Sequence, residues 1–377
     1  MSFTPEQIAE YLQQSAMDAP VGIVPDFDDP PDMNHEVATA IYLVVSSLVV
    51  FMRLYTKVTV LRHFHLEDWI LILGYIIDIG GFKVVTFLLE TRHHYGTHMY
   101  NLRIGAFFQY DHHFYAANVL YFCIICTLKT AIILQLIRLF TPQGVRNGTF
   151  WALHVLLWFN VAFYFAAFWV SVFNCVPVRK AWWRDLVDGH CIEIRKFFIV
   201  AQTFNCLTDI LILVIPQRVI WSFNMSNARK WGLSLLFFIG IAAVVCSAVR
   251  IWVCVELFES VDRSLWMANL GNWTEPEIMC GFLVMSLPVL PKFLKSIGAT
   301  PLLGKIGTSF RSLFTRGSAA HTKTSSGTVV GSEGPSKDKS GDRQLVTDIE
   351  FEELVNRTTG TMGVDSPVSD GRQEGIA

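Results

Sequence analysis

Charged residues are scarce in this sequence. Asp, Glu, Lys and Arg make up 16% of the 377 residues, whereas a soluble globular protein carries about 25%. Hydrophobic residues make up 52%, and the mean hydropathy is +0.40. No basic cluster has the density of a phosphate-binding surface, so no nucleic-acid partner is expected. The composition indicates an integral membrane protein whose main partner is the lipid bilayer.

Lysine and arginine are absent from the first 35 residues, which hold seven Asp and Glu. Cytoplasmic flanks of membrane helices are enriched in Lys and Arg, so residues 1–36 are expected to be extracellular. They contain no signal-peptide core, so the first helix is expected to serve as an uncleaved anchor. Basic residues instead flank the ends of the odd-numbered apolar runs, for example Arg53, Lys57 and Arg138. We predict an extracellular N-terminus, a cytosolic C-terminus and, as the membrane, the plasma membrane.

Seven apolar runs approach the length of about 20 residues that a membrane helix needs. They are Val37–Leu54, Trp69–Leu88, Tyr115–Phe140, Phe150–Phe173, Phe197–Pro216, Trp231–Leu257 and Glu277–Phe293. The sequence therefore predicts an all-α, polytopic seven-helix bundle over residues 37–293.

The C-terminal part of the chain differs from the bundle. Residues 294–316 mix basic and apolar side chains, which fits either an interfacial helix on the membrane or a solvated juxtamembrane linker. Residues 317–377 are rich in Ser, Thr, Gly and Asp. Such a composition cannot bury enough apolar surface to fold, so a disordered cytosolic tail is expected.

Lys129 lies in the middle of an apolar run, where a charge must be compensated. At 1.5 Å per residue, Lys129 lies about 21 Å from Tyr115, and Asp209 lies about 18 Å from Phe197. Asn205 is one helical turn from Asp209 and shares its face. We therefore predict a pair of Lys129 and Asp209 near the membrane midplane, with Asp78 as the alternative partner.

A second pair is predicted between Arg250 and Glu277. Glu277 opens the seventh apolar run, so this pair is expected in the outer third of the membrane. Both pairs admit two interpretations: they fix helix packing, or they form a polar site or a switch between two states.

Two of the eight cysteines, Cys175 and Cys191, lie outside the apolar runs and bound one predicted extracellular loop. A disulfide is expected between them, because the extracellular side is oxidising. The other cysteines lie within apolar helices and are expected to be packing residues.

Five histidines fall close together in the sequence: His93, His94, His98, His112 and His113. Histidine is a common metal ligand. However, no cysteine or well-spaced acid accompanies these residues, and Gly96 interrupts the helical spacing. A hydrogen-bonded outer loop is the favoured interpretation, and no metal site is predicted.

Several motifs occur together in order. They are LEDWILILGY at 66–75, HYGTHMYNL with Gly96 and His98, LKTAIILQLIRLF at 128–140, FNCVPVRKAWW with GHC, NCLTDILILVIP at 205–216 and NWTEPE with SLP. With these motifs the chain resembles the fungal rhodopsin-domain integral membrane proteins over about residues 37–293. The resemblance implies a receptor-like seven-helix protein. With a receptor as the favoured function, no enzymatic activity is predicted.

Three functions remain open at this stage. The favoured hypothesis is a receptor that senses an extracellular or membrane-borne ligand and signals to a cytosolic partner. The alternatives are a small-solute or proton-coupled transporter, and an intramembrane metal-dependent hydrolase. No cofactor is predicted, and retinal is not expected, because the run from Glu277 to Pro291 contains no lysine.

Overall fold

The computed structural model describes residues 4–28, 30–31, 35–92, 95–140, 148–220 and 227–298. His93, His94, the predicted tail 317–377 and all of the predicted basic segment beyond residue 298 lie outside these ranges. Seven helices in the described ranges are long and apolar enough to cross a membrane, which confirms the predicted seven-helix fold. We number them as spans 1 to 7: Glu36–Leu61, Leu66–Thr91, Ile104–Phe140, Gly148–Val172, Ile194–Gln217, Leu235–Glu259 and Arg263–Ser296.

The spans are built from regular helices and a few irregular turns. The α-helices are α1 (Pro5–Gln13), α2 (Glu36–Tyr55), α3 (Leu66–Ile77), α4 (Lys83–Arg92), α5 (Ile104–Phe140), α6 (Gly148–Val172), α7 (Ile194–Ile220), α8 (Asn227–Glu259), α9 (Arg263–Ser286) and α10 (Leu290–Ser296). Helix α2 continues as a π-helical turn at Thr56–Leu61, and a second π-helical turn at Asp78–Phe82 joins α3 to α4. A 3₁₀ turn at Leu287–Val289 joins α9 to α10.

Span 3 forms the centre of the bundle. In its most apolar segment 61% of the residues are buried, whereas the corresponding value is 17% in span 1. The other spans turn large apolar side chains outward; Phe51, Trp158 and Phe238 are each 69% exposed. A surface of this kind is stable only against lipid, so the chain is an integral membrane protein.

Spans 1, 3, 5 and 7 begin at one end of the bundle, which we call the amino-terminal end; the other is the opposite end. Helix α1 packs at the amino-terminal end on the start of span 3. The amide of Ile104 donates to the carbonyl of Gln14 at 2.9 Å, and the amide of Ala16 donates to the carbonyl of Leu102 at 2.8 Å.

The disulfide predicted from the sequence is present. Cys175–Val176 (β1) pairs antiparallel with His190–Cys191 (β2), and Cys175 is bonded to Cys191. Gly189 is required beside this pair because a Cβ atom there would overlap the carbonyl oxygen of Val176. The hairpin closes the loop between spans 4 and 5 over the amino-terminal end.

Two spans begin earlier than their hydropathy suggests. Span 3 begins at Ile104 instead of Tyr115, and span 7 begins at Arg263 instead of Glu277. The added turns carry polar residues that lower the hydropathy of the segment, although many of them are buried, as Asp111 and Glu275 are. Burial within the protein, rather than contact with lipid, holds these turns in the helix.

Candidate functional site

Lys129 lies at the centre of the bundle among acceptors from span 5. Its Nζ atom is 2.8 Å from Asp209 Oδ1, and it donates to the carbonyl of Asn205 at 2.8 Å and to Thr208 Oγ1 at 2.7 Å. The Lys129 side chain is 4% exposed. One turn of span 5 therefore supplies both the counter-charge and the remaining acceptors of the buried ammonium group.

Asn205 connects this pair to two more spans. Its Nδ2 atom donates to Glu277 Oε1 of span 7 at 2.5 Å, and the hydroxyl of Tyr164 in span 4 donates to its Oδ1 at 2.7 Å. The Asn205 carbonyl meanwhile accepts from Lys129. The residue thus joins spans 3, 4, 5 and 7.

Arg250 brings span 6 into the same group of residues. Its Nη1 atom donates to Glu277 Oε2 at 2.6 Å and to the hydroxyl of Tyr121 in span 3, and its guanidinium lies 4.1 Å from the centre of the Tyr121 ring. We call the connected set the central network. It consists of Tyr121, Lys129, Tyr164, Asn205, Thr208, Asp209, Arg250 and Glu277.

The position of Glu277 differs from the sequence expectation. Because span 7 begins at Arg263, Glu277 lies about 21 Å along the helix and not at its start. The pair of Arg250 and Glu277 is therefore continuous with Lys129 and Asp209 through Asn205, rather than a separate pair in the outer third. Tyr121 and Tyr164 cannot be recognised from the sequence, because tyrosines in an apolar run resemble ordinary packing residues.

Asp78 does not join the central network. It is fully buried in the π-helical turn of span 2, and neither carboxylate oxygen has a hydrogen-bond partner among the described residues. The nearby Lys83 instead forms an ion pair with Glu275 of span 7. Sequence reasoning missed Glu275, although it stands two residues from Glu277 in the same motif.

A second ionic group closes the opposite end of the bundle. Asp68 Oδ1 is 2.6 Å from Arg53 Nη2, Asp68 Oδ2 is 3.1 Å from Lys57 Nζ, and Glu67 pairs with Arg138. Arg53 also donates to the carbonyl of Met285 in span 7. We call Arg53, Lys57, Glu67, Asp68 and Arg138 the opposite-end cluster. It ties spans 1, 2, 3 and 7 together.

The opposite-end cluster also bears on metal binding. Ligand atoms of His65, Glu67 and Asp68 lie within 4.8 Å of one another. The two carboxylates, however, face three cationic side chains in the cluster, so the group has a net positive charge and suits ion pairs better than a divalent cation. Burial, together with the cations of Arg138 and Lys57, lowers the pKa of His65 to about 4. His65 is therefore neutral at physiological pH.

The Gly96 and His98 motif lies at the amino-terminal end. Gly96 has a φ of 81°, a backbone conformation that glycine adopts without strain. His98 Nδ1 is 2.5 Å from Asp262 Oδ2, and the amide of Met99 donates to Asp262 Oδ1 at 3.0 Å. Through these contacts the motif fixes the loop between spans 2 and 3 against the connection between spans 6 and 7.

His112 and His113 do not belong to the outer loop, contrary to the expectation from sequence. Both lie in α5, because that helix begins at Ile104. His112 packs against Trp182, with ring centroids 4.6 Å apart, and His113 Nδ1 lies 2.8 Å from the carbonyl of Gln109.

A cavity of about 80 Å³ lies next to the central network, between spans 3, 5, 6 and 7. Lys129, Asp209 and Glu277 line it beside mainly apolar residues, and Pro216 and Gln217 extend it towards the opposite end. A water molecule needs about 10–15 Å³ of such space, so the cavity has room for several water molecules or for part of a larger molecule.

Comparison with known proteins decides the family. A family model for the fungal rhodopsin domain matches residues 52–296. The chain belongs to this family. The matched range includes the central network and the disulfide, and no solved structure matches the chain.

Several curated relatives are similar to this fungal rhodopsin-domain protein. The fugralins biosynthesis cluster protein 2 of Gibberella zeae is 30% identical over 76% of this chain and 72% of its own length. A SAT4 family membrane protein of Emericella nidulans is 33% identical over 63% of this chain and 59% of its own length. The Receptor GIN3 of Arthrobotrys oligospora is 23% identical over 89% of this chain and 78% of its own length.

Proposed function

We propose that this protein is a seven-helix receptor in the plasma membrane, with its amino-terminal end outside the cell. The observation that carries the proposal is the central network. It joins spans 3, 4, 5, 6 and 7 through buried charges that have few alternative partners. A ligand that displaces one member therefore alters the contacts of several helices at once.

Two helices, spans 3 and 7, connect the central network to the opposite end of the bundle. Lys129 and Arg138 lie on span 3, about 13 Å apart along the helix axis. Glu277 and Met285 lie on span 7, about 12 Å apart, and the Met285 carbonyl accepts from Arg53. A shift of span 7 at Glu277 thus acts on the opposite-end cluster. We propose that a cytosolic signalling partner reads this change.

Three further features support the receptor assignment. One relative is named a receptor and aligns over 89% of the chain. The disulfide lies at the amino-terminal end, and disulfides persist on the extracellular side of the membrane. The basic residues of the opposite-end cluster follow the rule that cytosolic flanks are positively charged.

Hydrogen-exchange mass spectrometry in lipid nanodiscs tests the proposal with Glu277→Gln. A receptor switch requires faster exchange in the peptides around residues 53–68 and 285–296, remote from the substitution. Glu259→Gln removes an exposed ion pair with Arg195 and serves as the matched control. Unchanged exchange at the opposite end, or a uniform increase over the whole chain, would contradict a switch.

A transporter is the second candidate, and Asp78 is the observation that favours it. A buried carboxylate in a π-helical turn, with no hydrogen-bond partner in the described part of the chain, suits a site that takes up and releases a proton. Proton flux in proteoliposomes, abolished by Asp78→Asn, would establish this function. The hydrolase hypothesis receives no such support, because cationic side chains already pair with the clustered carboxylates.

A further inference from the structure

The cavity beside the central network is lined mainly by apolar residues, with the charged side chains of Lys129, Asp209 and Glu277 on the side of the network. Ile132 and Leu136 of span 3 and Leu213 of span 5 contribute to its walls. Such walls favour a hydrocarbon part of a ligand, because burial of apolar surface is favourable.

On the charged side of the cavity, the carboxylate of Asp209 has one oxygen that can accept a further hydrogen bond. Asp209 Oδ1 is held by Lys129, whereas Asp209 Oδ2 is buried with no hydrogen-bond partner among the described residues. The hydroxyl of Ser247 interacts with this carboxylate, but its hydrogen bond of 3.0 Å is to the carbonyl of Val244. A buried carboxylate oxygen without a donor is unfavourable, so this atom is a ready acceptor for a ligand.

Pro216 removes one backbone donor from span 5, two turns beyond Asp209. Proline has no N–H group, so Pro216 cannot donate to the carbonyl of Ile212 as another residue in the helix would. Ile212 and Pro216 both line the cavity. The carboxylate of Asp209, with this weakened turn beside it, therefore favours a ligand that donates a hydrogen bond.

The rim of the cavity reaches the lipid-facing surface. Phe237 of span 6 lines the cavity and is 37% exposed. Spans 5 and 6 approach closely one turn away, where a Cβ atom on Gly240 would lie 2.6 Å from Leu213 Cδ1. A molecule dissolved in the bilayer would thus enter beside Phe237 and pass on the cavity side of this contact towards Asp209.

We propose that the cavity binds a lipophilic molecule whose polar end is a hydroxyl or ammonium group. The donor engages Asp209 Oδ2, and the hydrocarbon part lies along spans 3, 5 and 6 and extends past Phe237 into the bilayer. A carboxylate end group is disfavoured, since the lining carries two carboxylates, Asp209 and Glu277, against the single cation of Lys129. The proposal rests on the receptor function and names the ligand class: the bound donor shares Asp209 with Lys129 and so acts directly on the central network.

The probe is a dodecanol that carries a photoreactive diazirine, added to the full chain in lipid nanodiscs. The matched probes are the corresponding dodecylamine, dodecanoic acid and dodecane. We expect the alcohol and the amine to label peptides of the cavity at least about tenfold more than the acid or the alkane, as expected for a hydrogen bond to a charged group.

Two variants localise the labelling. Ala243→Leu fills the cavity without removing a member of the ion pairs and should reduce labelling by the alcohol about tenfold, as the loss of one such hydrogen bond would. Ala248→Leu, on the exposed face of the same helix, should leave labelling unchanged. Ile132→Phe fills the cavity from span 3 and replaces Ala243→Leu if that variant does not fold.

Equal labelling by alcohol and alkane, or undiminished labelling in a folded cavity-filled variant, would overturn the proposal. A different experiment, the hydrogen exchange of Glu277→Gln, decides the receptor function. If the alcohol labels the cavity but the Glu277→Gln exchange experiment shows no remote effect, the binding site stands and the receptor does not. If the exchange experiment shows the remote effect but the alcohol does not label the cavity, the receptor function stands and this ligand class does not.

Discussion

Lys129 retains its position in the centre of the bundle because three acceptors of span 5 surround its Nζ atom. An ammonium group has three N–H donors, and Asp209, Thr208 and the Asn205 carbonyl take one each. Removal of one charge of a buried pair leaves the other uncompensated. The pair is therefore sensitive to single substitutions in a way that an exposed pair is not.

Lys129→Met and Asp209→Asn should each lower the free energy of unfolding by about 3–5 kcal/mol. The exchanged double variant, Lys129→Asp with Asp209→Lys, should recover part of this loss because the charges again compensate. Thermal unfolding of the purified protein provides the measurement. Lys196→Met breaks an exposed pair with Glu193 and should have little effect; melting temperatures that are equal in all variants would show that the central pair is not stabilising.

His65 should make the protein sensitive to acid. Its pKa is about 4 in the folded protein and 6.5 ordinarily, so the folded state binds fewer protons than the unfolded state. The contribution of His65 to stability is therefore complete above about pH 6.5 and is lost as the pH falls towards 4. His65→Gln should reduce the drop in melting temperature over this window, whereas His63→Gln, at an exposed neighbour, should not. An identical drop in both variants would remove this role.

At the scale of elements, close approach between helices depends on small residues. Span 7 contacts span 3 at Gly281, where a Cβ atom would overlap Leu128 Cδ2. Leu128 and Gly281 both line the cavity. The spacing of spans 3 and 7, and with it the geometry of Glu277, is therefore set at this glycine.

Gly281→Ala should destabilise the protein by about 1–3 kcal/mol through overpacking. Leu128→Ala should restore part of the loss in the double variant, because it removes the overlapping atoms. Gly80→Ala is the control, since a Cβ atom there meets nothing within 4 Å. Melting temperatures of the four proteins provide the measurement; additive losses in the double variant would show that the two residues are not in conflict.

Loss of the bond between Cys175 and Cys191 should destabilise the hairpin. The two residues are 16 positions apart, and closing a loop of this size stabilises a protein by about 3 kcal/mol. The Cys175→Ser, Cys191→Ser double variant should melt at a lower temperature than the oxidised protein and should not respond to a reducing agent. Free thiols at both positions in peptide mapping of the non-reduced protein would refute the pairing.

The elements show what the sequence predicts and what it does not. Hydropathy locates the seven helices because lipid contact requires apolar runs, and the position of the disulfide follows from the two cysteines outside them. Hydropathy does not predict that span 7 begins at Arg263, because buried polar residues in a helix resemble loop residues in a hydropathy profile. For the same reason it does not predict that Glu275 pairs with Lys83. The connection through Asn205 is equally hidden, since it depends on which helices are neighbours.

At the scale of the whole molecule, each lysine that is buried among the described residues of the bundle is paired with a carboxylate. Lys57 pairs with Asp68, Lys83 with Glu275 and Lys129 with Asp209. Span 7 carries lysines only near its end, at Lys292 and Lys295. The family name therefore does not imply a chromophore in this chain.

Retinal added to the purified protein should produce no red-shifted absorbance band. A Schiff base requires a lysine that is free to react in a dry pocket, and the central lysine is already paired with Asp209. Absorbance spectra after incubation with all-trans and 11-cis retinal provide the measurement. A stable band that disappears in Lys129→Ala would contradict both this prediction and the arrangement proposed for the receptor.

The length of span 3 has a consequence for the shape of the molecule. Its 37 residues extend about 55 Å at the α-helical rise, whereas the hydrocarbon core of a bilayer is about 30 Å thick. Several turns must therefore project into water or be accommodated by tilting, and the turns that hold α1 are those before Tyr115. The apolar run thus marks where the hydrocarbon core begins rather than where the helix begins. The turns before Tyr115 are polar enough to lie outside that core, so the same helix that crosses the membrane also carries the amino-terminal segment.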